Sequence, residues 1–308
     1  MKHCRFGLIG HPIAHSLSPA LFKAGYDGKY PYELIETSDF EEAYSRFIKE
    51  YDGINVTAPF KELAYAKADI ISDECRLIKA ANILVKTPEG VKAHNSDFLG
   101  VRLWLEEAIG IPSVGTADSK RTPPTSWAPP PAARGVAHFY SDTLDTDCSK
   151  ASDPQKVLVV GCGGAGKAAA AAAVSLGMKV MLMNRNQEKA ARLAEDLTGM
   201  GYGAEARPLD EFRTCFKEAD IVIYNIPTSI PELAAMTKED FGPGRPKFIL
   251  EANYKDPSFN EASLAKMKSA NPSAHYTGGR TWLLYQAVTG YEIFTREKPD
   301  LEKMSAVL

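Results

Sequence analysis

The chain has 308 residues, a formal net charge of −3 and an apolar fraction of 44 %, the composition of an ordinary globular protein. At about 100–200 residues per domain, two domains are expected. The near-balanced charge offers no basic footprint for nucleic acid, and no stretch reaches the roughly 20 apolar residues of a membrane helix.

The N-terminal apolar run is too short for a signal peptide, and Pro12 follows at once. Residues 6–9 and 54–56 are short apolar runs expected as strands. Residues 38–50 and 62–69 read as helices, the first capped by Ser38 with Glu41 three residues on as a capping box. Strands alternating with helices predict an α/β domain with a mostly parallel sheet over residues 1–111.

Residues 112–155 differ in texture. They carry Pro123, Pro124, Pro129, Pro130 and Pro131 and no apolar period. A flexible insertion or linker is expected, with a lid as the other reading. Residues 156–160 then open a third region, with further strands expected at 179–183, 221–224 and 248–250 and a buried helix over the alanine run 168–174. A helix is expected from Trp282 to about Tyr291. The five cysteines, Cys4, Cys75, Cys148, Cys162 and Cys215, form no C-x-x-C pair and suit free thiols in the cytoplasm.

Gly161-Cys162-Gly163-Gly164-Ala165-Gly166 fits G-x-G-x-x-G. Alone the pattern is weak. Here it follows one expected strand, opens a helix and precedes a second strand, the context of a Rossmann-type dinucleotide site over residues 156–275. The glycines allow close backbone approach to a pyrophosphate, and the helix N-terminus offers it free N–H groups. A glycine turn that packs strand on helix without ligand is the plain alternative. An NAD site usually has an acidic residue after the second strand. This chain has Asn184, Arg185 and Asn186, with Lys189 beyond. Arginine and lysine suit the 2′-phosphate of NADP, unless they are only a solvated face.

Three polar clusters follow strands in the first region. One holds His11, His15, Ser16 and Ser18; the next Asn55, Thr57 and Lys61; the last Asn82, His94, Asn95, Ser96 and Asp97. Ligands of open α/β sheets bind at the carboxyl ends of strands. His11 and His15 are four apart, but Pro12 and Pro19 oppose a helix between them, so no metal is expected. No G-x-S-x-G elbow supports a serine hydrolase.

In order and spacing these segments resemble the shikimate dehydrogenase family. The matches are G-x-P-I-x-H-S-x-S-P from Gly10, N-V-T-x-P-x-K ending at Lys61, A-x-N ending at Asn82 and an N-S-D turn ending at Asp97. The glycine loop, Asn184-Arg185, Tyr254 near Pro257 and Leu283-Leu284-Tyr285-Gln286 follow. The likeness covers nearly the whole chain apart from residues 112–155. It implies two α/β domains with a cleft between them, the C-terminal helix of residues 276–308 returning to the first. It implies that Ser16 and Ser18 hold a substrate carboxylate and that Thr57, Asn82 and Gln286 bond ring hydroxyls or the carboxylate. Tyr254 would sit beside the substrate, Lys61 and Asp97 would flank the hydroxyl that becomes a ketone, and Gly279 would join the glycine loop in holding the cofactor.

The activity so implied is reversible reduction of 3-dehydroshikimate to shikimate with NADPH, a step of aromatic amino acid biosynthesis by the chorismate pathway. A quinate or dual quinate/shikimate dehydrogenase is one alternative, and a non-catalytic NADP-binding regulatory protein is another. A monomer or homodimer without nucleic acid or membrane partner is expected. The chain departs from the family pattern at Ile83, Ser96, residues 225–230, Glu251, Arg280 and Trp282, the last two adding bulk near the expected cleft.

Overall fold

The computed structural model describes residues 4–109, 155–242 and 245–308. Apart from Gln155, the expected insertion at 112–155 lies outside the described residues, as does Cys148. The chain divides into two compact units, Met1–Pro123 with Arg280–Leu308, and Pro124–Gly279.

The first unit runs β1 (Phe6–Gly10), α1 (Ser18–Gly25), β2 (Tyr32–Glu36), α2 (Phe40–Glu50), β3 (Gly53–Val56), α3 (Lys61–Lys67), β4 (Ile70–Ile71) and α4 (Asp73–Ile78). It continues through β5 (Ile83–Thr87), β6 (Gly90–His94) and α5 (Ser96–Ala108). The sheet order is β2-β1-β3-β5-β6-β4. Strands β2, β1 and β3 are parallel, as are β4 and β6, and β5 runs antiparallel to both its neighbours. Every residue of β1 is buried, which explains its unbroken apolar text.

Ser38 does not cap α2. Asp39 does, its carboxylate accepting from the backbone N–H groups of Glu41 at 2.9 Å and Glu42 at 3.2 Å. Asp39 has the extended backbone of an N-cap residue, φ −103° and ψ 108°, and its position sets the carboxylate over the first-turn N–H groups.

The second unit runs β7 (Lys156–Val160), α6 (Gly164–Ser175), β8 (Lys179–Met183), α7 (Gln187–Gly199), β9 (Ala204–Ala206), α8 (Phe212–Glu218) and β10 (Ile221–Tyr224). Helix α9 (Pro231–Ala234), β11 (Lys247–Glu251), α10 (Glu261–Ala270) and β12 (Ala274–Thr277) complete it. Its sheet is parallel throughout, in the order β12-β11-β10-β7-β8-β9. Strand order reverses between β7 and β10, the switch point where such sheets bind ligands. The alanines of α6 from Ala168 to Ala173 are buried, small side chains that let the helix lie close on the sheet.

Helix α11 (Gly279–Thr295) and α12 (Leu301–Ser305) end the chain. The first is longer than the expected 282–291. From Arg280 onward these residues belong to the first unit. Phe294 stacks on Phe6 with centroids 5.1 Å apart, and Tyr291 meets Phe22 edge-on at 4.7 Å. Such aromatic pairs add roughly 0.5–1.5 kcal/mol beyond their burial.

Candidate active site

In the first unit the sheet brings the three polar clusters side by side. The Thr57 N–H donates to Ile9 O at 2.9 Å, and the His11 N–H donates to Ala58 O at 3.2 Å. The serine loop and the loop before Lys61 are thereby stitched together. Ser16 and Ser18 share a hydroxyl contact of 3.1 Å, and the Ser18 N–H donates to Ser16 Oγ at 3.2 Å.

Lys61 opens α3 and Asp97 is the second residue of α5. Their Nζ and Oδ2 atoms are 2.5 Å apart, with side-chain exposures of 22 % and 8 %. A short, charge-assisted contact at the edge of the protein interior is a strong one.

The turn that carries Asp97 is held on every side. Asn95 caps α5 by accepting from the Phe98 N–H at 3.1 Å, and its own amide donates to Ala80 O at 3.1 Å. The Asn95 N–H reaches Glu74 Oε1 at 3.3 Å, and His94 Nδ1 lies 3.2 Å from the same oxygen. Burial alone would raise the Glu74 carboxyl, but its contacts with His94 and Ser72 hold it below its ordinary value. Asn82 is buried and already engaged. Its Oδ1 accepts from the Ser96 N–H at 2.7 Å, and its Nδ2 donates to Ser96 Oγ at 3.1 Å. The side chain expected to meet a ring hydroxyl therefore also clamps the Asp97 turn.

Helix α11 lies across α5. A Cβ on Gly100 would stand 2.7 Å from the Gln286 backbone nitrogen, so only glycine permits this approach. Trp282 is not an exposed obstruction. It is 4 % exposed, and its indole N–H donates to the Asp97 carbonyl at 3.4 Å. An indole is buried where its ring finds apolar contact and its N–H an acceptor. Ile83 is fully buried in β5, where a methyl-bearing side chain serves the core.

In the second unit the glycine loop follows β7. Gly161 has φ +98°, in the region that favours glycine, and its N–H donates to Met183 O at 2.7 Å. Gly163 caps α6 without a side chain, and a Cβ there would meet nothing within 4 Å. The first turn of α6 thus has no side-chain cap, and Gly163 and Gly164 are exposed at its start. The Cys162 thiol is buried 3.6 Å from Met183 O, and burial pushes it up to about 12.

Asn184 ties the loop to the end of β8. It accepts from the Cys162 N–H at 3.2 Å and donates to Asn186 O at 2.9 Å. Asn186 in turn caps α7. Arg185 and Lys189 are exposed beside that cap, and neither makes an ion pair among the described residues. An uncapped helix start with two unpaired cations nearby fits a dinucleotide pyrophosphate and a 2′-phosphate.

Tyr254 is partly buried in the loop after β11. That loop is closed by Glu251, which accepts from the N–H groups of Ser258 at 2.5 Å and Phe259 at 3.3 Å and from the Tyr276 hydroxyl at 2.7 Å. Gly279 is buried, and a Cβ there would stand 2.2 Å from Ala252 O.

Ser16, Ser18, Thr57, Lys61, Asn82, Asp97 and Gln286 accordingly belong to the first unit, and the glycine loop, Asn184, Arg185, Lys189, Tyr254 and Gly279 to the second. Glu74 was outside every motif, because only folding brings it to the Asp97 turn. Among the described residues, no three His, Cys, Asp or Glu side chains gather to hold a metal ion, and no helix is long and apolar enough to cross a membrane.

Two family models match the chain. One, described as the shikimate dehydrogenase substrate binding domain, matches residues 8–84, and the other, shikimate / quinate 5-dehydrogenase, matches residues 145–245. The shikimate dehydrogenase (NADP(+)) of Halothermothrix orenii is 27 % identical, over 96 % of this chain and 92 % of that one. Among solved structures, Mycobacterium tuberculosis shikimate dehydrogenase is 26 % identical with a TM-score of 0.69, covering 99 % of this chain and 98 % of that one. The quinate dehydrogenase of Corynebacterium glutamicum in complex with NAD shares the fold, with a TM-score of 0.73, 20 % identity and coverage of 99 % and 98 %.

Proposed function

The chain belongs to the shikimate dehydrogenase family, and we propose that it catalyses the reversible, NADP-dependent reduction of 3-dehydroshikimate to shikimate. The observation that carries this reading is the 2.5 Å contact between Lys61 and Asp97, on a turn shared with Asn82 and Ser96 and beside the stitched serine loop.

Ser16 and Ser18 hold the substrate carboxylate through their hydroxyls. Thr57, Asn82 and Gln286 meet the ring hydroxyls or the carboxylate, and Tyr254 lies beside the ring. As the ketone is reduced, the Lys61 ammonium donates a proton to the developing alkoxide. In the oxidative direction the same nitrogen takes the proton back. Asp97 fixes the ammonium through Oδ2 and has its other oxygen for a neighbouring hydroxyl. Bound NADPH supplies the hydride, and the protein supplies placement and polarity. The Gly161–Ala165 backbone and the α6 N-terminus would hold the pyrophosphate, with Asn184 and Gly279 beside it and Arg185 and Lys189 on the 2′-phosphate.

In this reading residues 1–111 with 280–308 form the substrate domain and residues 156–279 the NADP domain, because 276 and 277 end β12 and the C-terminal helix joins the first unit only from Arg280. The enzyme works in the cytoplasm as a monomer or homodimer, without nucleic acid, in the aromatic amino acid route through chorismate. Lys61→Ala tests the mechanism. A positioned general acid/base contributes about 10²–10⁴-fold, so kcat falls by that order while KM for shikimate moves little. Unchanged kcat removes the lysine from the chemistry.

A further inference from the structure

The Glu74 carboxylate is brought to the Asp97 turn by strand pairing. β4 runs parallel to the end of β6, with Ile71 opposite Ala93, and the Ser72 N–H donates to Ala93 O at 3.2 Å. The chain then enters α4, so the first turn of that helix, with Glu74 in it, lies against His94 and Asn95.

One carboxylate oxygen serves both neighbours. Glu74 Oε1 accepts from the Asn95 N–H at 3.3 Å and lies 3.2 Å from His94 Nδ1. An ionised carboxyl only accepts, so the imidazole carries a proton on Nδ1 and braces the oxygen against Asn95. The pair is sheltered, with side-chain exposures of 13 % for Glu74 and 19 % for His94. Hydrogen bonds are stronger in such surroundings than in water. Every other polar group of Asn95 is also engaged: Nδ2 with Ala80 O, Oδ1 with the Phe98 N–H and the carbonyl with the Leu99 N–H at 3.3 Å. Glu74 is the charged member of this set, and Asp97 follows two residues after Asn95 in the first turn of α5.

We propose that Glu74, braced by His94, is a positioning residue that sets the first turn of α5 and thereby holds Asp97 within hydrogen-bond reach of Lys61. The inference rests on the reading of Lys61 and Asp97 as the catalytic pair. It adds that their geometry is set by a carboxylate that acts through the Asn95 backbone.

Steady-state rates of the full chain are measured with shikimate and NADP for wild type, Glu74→Ala, Glu74→Gln, Asp97→Ala and the double variant Glu74→Ala/Asp97→Ala. A shift of about 1 Å at the reacting groups costs up to about 100-fold, so Glu74→Ala lowers kcat roughly 10- to 100-fold while KM for NADP stays within about twofold. Glu74→Gln recovers most of the loss, because its amide oxygen still accepts from the Asn95 N–H. In the Asp97→Ala background the Glu74→Ala change costs no more than about twofold, since a residue that acts through Asp97 has nothing left to place. General loosening of the fold costs the same in both backgrounds. Glu74→Asp draws the carboxylate back by one methylene, and it runs the same cycle if the alanine variant does not fold. A kcat within about twofold of wild type in both Glu74→Ala and Glu74→Asp, or an equal loss with and without Asp97, overturns the inference while wild-type turnover leaves the proposed function standing. Wild-type protein inert toward shikimate overturns both.

Discussion

Lys61 and Asp97 lie 36 residues apart in sequence and 2.5 Å apart in space. Each residue has a local cause for its place. Lys61 begins α3 directly after the loop that β3 delivers, and Asp97 sits in the first turn of a helix capped by Asn95. An acidic residue in a first helical turn is favoured by the helix dipole, so the aspartate stabilises the element that positions it. Arg185 and Lys189 are the converse case, exposed cations without ion-pair partners among the described residues. Such residues are conspicuous if they await an anion. Arg185→Ala should raise KM for NADP about tenfold or more, the worth of a charge-assisted hydrogen bond, and leave KM for NAD nearly unchanged. Parallel rises for both cofactors would place Arg185 off the 2′-phosphate.

Elements show where local text suffices and where it does not. Strand β10 is an unbroken apolar run, β7 and β8 are apolar after a leading exposed lysine, and the bounds of all three are those read from the sequence. The start of α2 was misplaced, because Ser38 and Asp39 are both good caps and only the geometry of the turn chooses between them. The hairpin of β5 and β6 carries mixed text: β5 is buried only at Ile83 and Leu84, and β6 alternates buried Val91 and Ala93 with half-buried neighbours. Of the site, the lysine, aspartate and serines were legible from motifs, whereas the double duty of Asn82 depends on β5 lying beside β6 and could not be read from either strand alone. The crossing of α5 by α11 is likewise a fact of packing. Gly100→Ala places a methyl group against the Gln286 backbone, so unfolding in urea should reveal a loss of about 1–3 kcal/mol, typical of overpacking. An unchanged midpoint would mean the two helices are not in close contact.

At the scale of the whole molecule, one chain carries two kinds of sheet. The first unit mixes parallel strands with an antiparallel hairpin and gathers hydroxyls, an amide, a lysine and an aspartate. The second is parallel throughout and presents an uncapped helix start at its switch point. The proposed function divides the labour accordingly, with substrate chemistry on the first unit and dinucleotide binding on the second. It is tested most directly by following absorbance at 340 nm with purified protein, shikimate or quinate as alcohol, and NADP or NAD as acceptor. The highest kcat/KM is expected for shikimate with NADP. No turnover of shikimate with either cofactor would contradict it, as would equal or better use of NAD.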